Sequence, residues 1–406
     1  MLSGVADSAL RMERLKGDSM DLVMIANSWS AAVSNPTSKH HIAQALAAAG
    51  HSVLWVEGAG MRRPSIASGR DWRRSIARLV KAASGAVKAQ GSDRIWVLSP
   101  LVVPLPSISA VRAFNSRMML ARIISAMKRL GFARPALVNY VPTFHGVMER
   151  WRRTAGPAAV AVYHCVDRWD AFDRYHSAVM AECDRRCCAA ADLVVASSRE
   201  LEERCRRFSS RVHCLPHGVR HDLFSAPLRH GAKRPADMPG GKVIGFMGLL
   251  SEWVDQELLL LTAAECRDAT VMLIGEADVN VSRLAAARNV LLAGPRPFAA
   301  LPAYVANFSV GVIPFVVNEL TRAVNPVKLL EMLAAGCPVV STALPEVGKE
   351  GVWIGNDREE FVAHVRRLLD RSPTREEKLA MSQSVEDCTW ERRAARLLEM
   401  IRGEPA

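Results

Sequence analysis

The sequence predicts an α/β protein with two doubly wound parallel sheets, one in each half of the chain. Three observations carry this expectation. Short continuous apolar runs, of which residues 21–27 (DLVMIAN) are the first, have the character of parallel strands buried on both faces. Helix-period segments alternate with these runs through both halves, as βαβ units require. The 406 residues suffice for two domains with full cores, and a composition half apolar and 23% charged is that of a globular chain.

In the first half, strand 21–27 is followed by a helix that Thr37 or Ser38 can cap, running through Ile42, Leu46 and Ala47 to Gly50. Residues 52–56 are the next strand. Lys39, His40 and His41 fall in the first helical turn, beside the loop where such folds place ligands. Basic residues oppose the helix dipole there, so they are either simply solvated or answer an anionic ligand. Residues 71–88 have helical periodicity, with Trp72, Ile76, Leu79 and Val80 on one stripe and Arg73, Arg74, Arg78 and Lys81 around it. That pattern suits a helix lying on an anionic membrane or an amphipathic helix packed on its own domain. A second basic helix is expected over 111–130, then a strand within 133–142 and another over 158–163. His164 and Asp167 would then lie just past a strand's C-terminal end, where open parallel sheets build sites. Asp167 also suits the N-cap of the helix that follows through Cys188. A strand at 193–196, caps at Ser197 and Ser198, and a short strand ending at His217-Gly218 complete this half.

Residues 219–240, with three prolines, read as the linker between a domain over 20–218 and a second over 241–388. Strands are expected at 243–247, 270–274 and 290–293, and helices at 255–264 and 298–306. Residues 311–342 then read as strand (311–315), polar loop (316–325), helix and strand (338–341). Pro326 would take the first helical position, and Gly336 the left-handed stop. Lys328 and Glu331 stand i,i+3 near the helix N-terminus, whose free N–H groups suit a diphosphate. On spacing alone the pair reads first as an exposed Lys–Glu surface pair. Helices over 361–369 and 390–401 follow, the last within a segment, 389–406, that can cross back to the first domain. Two consecutive α/β halves with ligand-type loops imply two Rossmann-like domains facing a cleft.

No run of residues matches a membrane span, since the most apolar, 95–111, is broken by Pro100, Pro104 and Pro106. Residues 1–19 lack the apolar block of a signal peptide and read as a flexible leader, which points to the cytoplasm. Nine cysteines, an odd number, suit a reducing compartment. Cys183, Cys187, Cys188, Cys205 and Cys214 cluster with His213 but form no C-x-x-C pair, so buried thiols are expected and no metal. The net charge of +12 is one-sided: residues 1–230 hold 33 Lys and Arg against 18 Asp and Glu, residues 231–406 hold 20 against 23. A basic first half suits an anionic partner such as the inner face of a membrane. Residues 62–153 lack any base-stacking or helix-turn-helix signature, so no nucleic acid is expected.

Four pieces then fall in register: LPHGVRHDLF, GFMGLLSEWVDQELL, NVLLAGPRPFAALPAYVANFSVGVIPF and NPVKLLEMLAAGCPVVST. Over residues 215–346 they resemble, in order and spacing, the nucleotide-sugar-dependent glycosyltransferases of the GT-B fold, particularly the retaining group with a Glu-x7-Glu motif. NPTSKHHIAQALAAAGHSVLWVEG and VYHCVDRWDAF look like polysaccharide-assembly members of that fold. The resemblance implies a hexosyl- or glycosyltransferase that needs no cofactor beyond its co-substrate, a nucleotide diphosphate sugar. The acceptor implied is lipid-linked or a glycan, in bacterial polysaccharide or exopolysaccharide assembly. Glu331 matches the motif's second Glu, which accepts hydrogen bonds from the nucleotide ribose. Lys328 would offset diphosphate charge, Asn325 and Val327 would present backbone amides to it, and residues 295–297 resemble the loop bordering the base.

This chain also departs from the pattern. Ala323 stands where the family keeps its sugar-facing Glu, and the usual Arg/Lys pair after the domain's first strand gives way to Glu252 and Asp255. Phosphate neutralisation then falls on Lys328, Arg322, Arg296 or a basic residue of the other domain. Asp167 is the first choice to deprotonate the acceptor and His164 the second, with Lys39, His40 and His217 lining the cleft. The departures leave the sugar and the stereochemical outcome open, and also resemble inverting GT-B enzymes that use polyprenyl-diphosphate carriers. A GT-B nucleotide-sugar epimerase and a GT-B protein that binds without catalysis are the alternatives.

Overall fold

A computed structural model describes residues 19–30, 35–58, 85–173 and 175–404. The expected leader up to residue 18 and most of the expected helix over 71–88 lie outside the described residues. The chain divides into two compact units: the first runs to Pro216 and includes the C-terminal residues from Arg393, and the second spans His217–Arg392.

The first unit holds an eight-stranded sheet of order β3-β4-β2-β1-β5-β6-β7-β8. Its strands are β1 (Asp21–Ala26), β2 (Ser52–Glu57), β3 (Ala86–Lys88), β4 (Ile95–Leu98), β5 (Ala136–Asn139), β6 (Ala161–Cys165), β7 (Leu193–Ala196) and β8 (Val212–Cys214). All pairs are parallel except β3 with β4. Helices α1 (Ser38–Ala48), α2 (Ser109–Leu130), α3 (Ser177–Ala190) and α4 (Arg199–Arg206) connect them. β1 is buried from Leu22 to Ala26, as a strand covered on both faces must be.

Two expectations are corrected here. Residues 86–88 close the predicted 71–88 helix in sequence, yet they form β3, because their backbone groups pair with β4. The strand expected at 158–163 starts and ends later, so His164 lies inside β6, paired in register with Val195 of β7.

The second unit holds a wholly parallel six-stranded sheet of order β11-β10-β9-β12-β13-β14. Its strands are β9 (Lys242–Met247), β10 (Ala269–Ile274), β11 (Val290–Gly294), β12 (Val310–Ile313), β13 (Val339–Thr342) and β14 (Val352–Gly355). Helices α5 (His221–His230), α6 (Gln256–Glu265), α7 (Glu319–Arg322), α8 (Val327–Ala334) and α9 (Arg358–Asp370) belong to this unit, and α10 (Trp390–Arg402) belongs from Arg393 on to the first. Two apolar cores flank the sheet. Met247, Met272, Phe224 and Leu333 belong to one, and Ile244, Val271, Leu258 and Phe361 to the other, so α5 and α8 cover one face and α6 and α9 its opposite.

Residues 219–240 are therefore no linker. They hold α5, and Val219, Phe224 and Met238 are buried in the second unit's core, with Pro227 accommodated inside the helix. The polar loop expected over 316–325 contains α7, capped by Asn318, whose Oδ1 accepts from Thr321 N–H at 3.0 Å. Pro326 is the N-cap of α8 and not its first residue, because its ψ of 107° is extended. Gly336 does take the left-handed conformation, at φ +68°.

Candidate functional site

Open parallel sheets bind ligands beyond the carboxyl ends of their strands, where the strand order reverses. In the second unit that point lies between β9 and β12. The loop after β9 and the loop after β12 are tied together there: Asp255 N–H donates to Pro314 O (2.8 Å) and Val316 N–H to Trp253 O (2.9 Å). Thr342 Oγ1 donates to Phe315 O at 2.8 Å, fixing the second loop to β13. Gly275, at the end of β10, has φ +149°, and a Cβ there would lie 1.8 Å from Gly248 O. Only glycine lets the turns after β9 and β10 run so close.

α8 starts beside this point. Lys328 Nζ lies 3.1 Å from Glu331 Oε2. The pair is not the exposed one that spacing allows, because Glu331 is buried and Lys328 half-buried. Burial raises the Glu331 pKa above the ordinary glutamate value, and the Lys328 ammonium opposes that rise. Such a carboxylate can accept two neighbouring hydroxyls, and the helix N-terminus adds partial positive charge. Val327, the first residue of α8, is half-buried. Asn325 is held by its side chain: Oδ1 accepts from His217 N–H (3.0 Å), and Nδ2 donates to Glu346 Oε2 (3.4 Å). The His217 ring lies 6.0 Å from that of Trp390.

The two arginines differ. Arg322 ends α7 and is exposed. Arg296 donates to Asp237 Oδ2 (3.1 Å), Tyr304 Oη (3.0 Å) and Ala293 O (2.5 Å), while Tyr304 Oη donates to Asp237 Oδ1 (2.7 Å). Its guanidinium thus anchors the 295–297 loop. Ala323 is buried as the C-cap of α7.

In the first unit the strand order reverses between β1 and β5. Tyr140 follows β5 directly and is buried; Lys39 Nζ sits 5.9 Å from its ring centroid, and the His164 ring 4.7 Å. Asp167 lies two residues past β6, half-buried. Burial raises its carboxyl pKa and lowers that of Lys39, while each charge favours the ionised form of the other. The structure so gathers Lys39, Tyr140, His164 and Asp167. Tyr140 was missed in the sequence, although its place directly after an apolar strand was the signal available.

His40 does other work. Its Nδ1 accepts from Thr37 N–H (3.0 Å), which leaves Nε2–H to donate to Ser28 O (3.0 Å). The ring stacks on Trp55 at 4.7 Å, and burial holds its pKa down to about 4. A neutral imidazole that pins the start of α1 to the loop after β1 offers no charge to an anion.

Comparison with known proteins bears on both units. Residues 37–223 match the model described as Glycosyltransferase Family 4, and residues 241–371 the one described as Glycosyl transferases group 1. The chain belongs to the GT-B glycosyltransferases. Within this family it is 28% identical over 204 residues to TuaH of Bacillus subtilis (strain 168), a glycosyltransferase named for teichuronic acid biosynthesis. That match covers 46% of this chain and 51% of TuaH, so the chain spans about half the length of the curated relative. Among solved structures, the catalytic domain of starch synthase IV from Arabidopsis thaliana, bound to ADP and acarbose, has a TM-score of 0.62 at 9% identity. It covers 95% of this GT-B chain and 99% of its own. A trehalose-6-phosphate structure from E. coli, bound with UDP-2-fluoro glucose, has a TM-score of 0.62 at 11% identity, covering 94% and 99%. These likenesses establish the fold.

Proposed function

We propose that this GT-B chain transfers a sugar from a nucleotide diphosphate sugar to a lipid-linked or glycan acceptor in bacterial polysaccharide assembly. Its place in this reading is the cytoplasm, at the inner face of the membrane. The observation that carries it is the buried Glu331 paired with Lys328 at the start of α8, beyond the strand reversal of the second sheet. Glu331 accepts the ribose hydroxyls. Lys328, Arg322 and the amides that open α8, at Val327, carry the charge of the leaving diphosphate. Asp167 deprotonates the acceptor hydroxyl; burial raises its pKa, which makes it the stronger base, while the Lys39 charge favours its ionised form. No metal or cofactor takes part in this scheme. The nucleotides in the two solved relatives support a nucleotide donor, and the name of TuaH supports a polysaccharide product.

The test is release of UDP, GDP or TDP from the matching sugars in the presence of lipid-linked acceptors. Lys328→Ala and Glu331→Ala variants are expected to lose release; release as fast as wild type would remove this site from the reaction. A second reading, binding without turnover, is favoured by one observation. Ala323 is buried at the position of the family's sugar-facing Glu. Nucleotide binding with no release under any donor and acceptor pair would select it.

A further inference from the structure

Six of the eleven large apolar side chains exposed among the described residues lie within residues 101–118: Leu101, Val103, Leu105, Ile108, Phe114 and Met118. Leu101 and Phe114 are 50% and 53% exposed. Monomeric surfaces carry such side chains singly more often than in one group.

The group is built, because the loop over 101–108 is fastened to the first turns of α2. Buried Asn115 accepts from Val103 N–H at 3.0 Å and donates through Nδ2 to Val103 O at 2.9 Å. Arg112 Nη1 donates to Pro106 O at 2.6 Å. Leu105 N–H donates to Val103 O (2.9 Å) and Ile108 N–H to Leu105 O (3.2 Å), with Pro104 and Pro106 stiffening the turn. One buried amide thus holds both backbone groups of an exposed valine, so the loop is ordered before it meets anything. Phe114 and Met118, spaced i,i+4, continue the apolar surface along one face of α2.

Charge selects the partner. The sequence has no Asp or Glu between Asp93 and Glu149, while Arg112, Arg117, Arg122, Lys128, Arg129 and Arg134 all fall there. Arg117, Lys128 and Arg129 are exposed on α2 itself. A second copy of this chain docking patch to patch would bring like charges together. Within this group a single exposed aromatic ring, Phe114, gives nucleic-acid bases little to stack on. An anionic bilayer satisfies both features: the apolar loop enters the acyl boundary while the long cationic side chains stay among the head groups. No helix among the described residues is long and apolar enough to cross a membrane, so the contact belongs at the lipid surface.

We propose that the 101–108 loop and the exposed face of α2 dock this protein on an anionic phospholipid bilayer. This names the membrane partner of the lipid-linked-acceptor reading and rests on it for its purpose, yet lipid binding and sugar transfer are measured separately. The 406-residue chain is floated with vesicles of phosphatidylcholine alone or mixed with phosphatidylglycerol. Wild type is expected to float with the anionic vesicles only. A Leu105→Ser/Phe114→Ser/Met118→Ser variant should lose at least about ten-fold of that affinity with an unchanged thermal melt, and an Arg117→Gln/Lys128→Gln/Arg129→Gln variant should lose it too. Equal flotation with neutral vesicles, or wild-type flotation of the apolar variant, would overturn the proposal. So would an apolar variant that changes only the oligomeric state in size-exclusion chromatography. Nucleotide release measured without vesicles, on short-chain water-soluble acceptors, keeps the two questions apart: its absence in wild type would count against the transferase reading and leave the vesicle result standing.

Discussion

Replacing Glu331 by Gln separates what this carboxylate does for the fold from what it does for a ligand. Its side chain is 3% exposed, and the Lys328 ammonium, itself 32% exposed, lies 3.1 Å away. Burial raises its pKa above 4.5 despite that partner. The folded chain therefore holds this proton to higher pH than the unfolded chain does. The group's contribution to stability is complete below pH 4.5 and is lost as pH rises through the folded value. At pH 8 the wild type bears the cost of a buried anion, and the Glu331→Gln variant does not. The variant should thus melt higher than wild type at pH 8, and the two should converge near pH 4. Ligand binding should move the other way. A hydrogen bond to a charged group is worth about 1.5–3 kcal/mol, so losing one ribose contact weakens nucleotide affinity roughly 10- to 100-fold. Melting curves at both pH values and calorimetric titration with UDP and GDP read these effects. A variant less stable than wild type at pH 8 would refute the buried-cost argument, and unchanged affinity for every nucleotide would refute the ribose role.

Three further predictions rest on other parts of the molecule. Because burial lowers the His40 pKa from 6.5 to about 4, the unfolded chain takes up that proton first as pH falls. Stability present above pH 6.5 should decline towards pH 4 by about 3 kcal/mol more in wild type than in His40→Phe, read by urea unfolding across that range; parallel curves would contradict it. Gly275→Ala puts a Cβ 1.8 Å from Gly248 O and should cost at least about 2 kcal/mol, whereas an unshifted urea midpoint would show that the loops part freely. Asp167→Asn should slow turnover roughly 10²- to 10⁴-fold with nucleotide affinity intact, and turnover at the wild-type rate would exclude Asp167 as the base.

The two sheets were legible because strands buried on both faces leave continuous apolar runs, and DLVMIAN or KVIGFM can hardly be anything else. Several helix ends were legible for a local reason too: Ser198 accepts from Leu201 N–H and Gly336 adopts positive φ. What escaped was structure whose cause lies elsewhere in the chain. α5 forms in a proline-containing stretch because Phe224 finds a core made by β9, β10 and α8. α7 is written in polar residues, Asn318 and Thr321, that read as loop until their mutual capping is seen. The same division holds at the site. The spacing of Lys328 and Glu331 was visible, but burial of the carboxylate depends on how α8 packs. Arg296 looked available for phosphate because Asp237 is 59 residues away in sequence. His40 looked like a cation in a first helical turn because nothing local announces Trp55 and Ser28 O.

The chain leaves the first unit at Pro216 and returns to it at Arg393. The second unit is thus an insertion within the first, and the first is discontinuous in sequence. The returning segment is no loose tail: Leu397 and Leu398 are fully buried, and Arg211 Nη2 donates to Met400 O at 2.8 Å, closing a bond across 189 residues. An expression boundary drawn after Pro216 would strip the first unit of that helical stretch and leave Arg211 without its acceptor. A fragment that rejoins residues 393–404 to Pro216 through a short linker keeps the unit whole. Trimming the protein from its C-terminus, by contrast, damages the fold of its N-terminal unit.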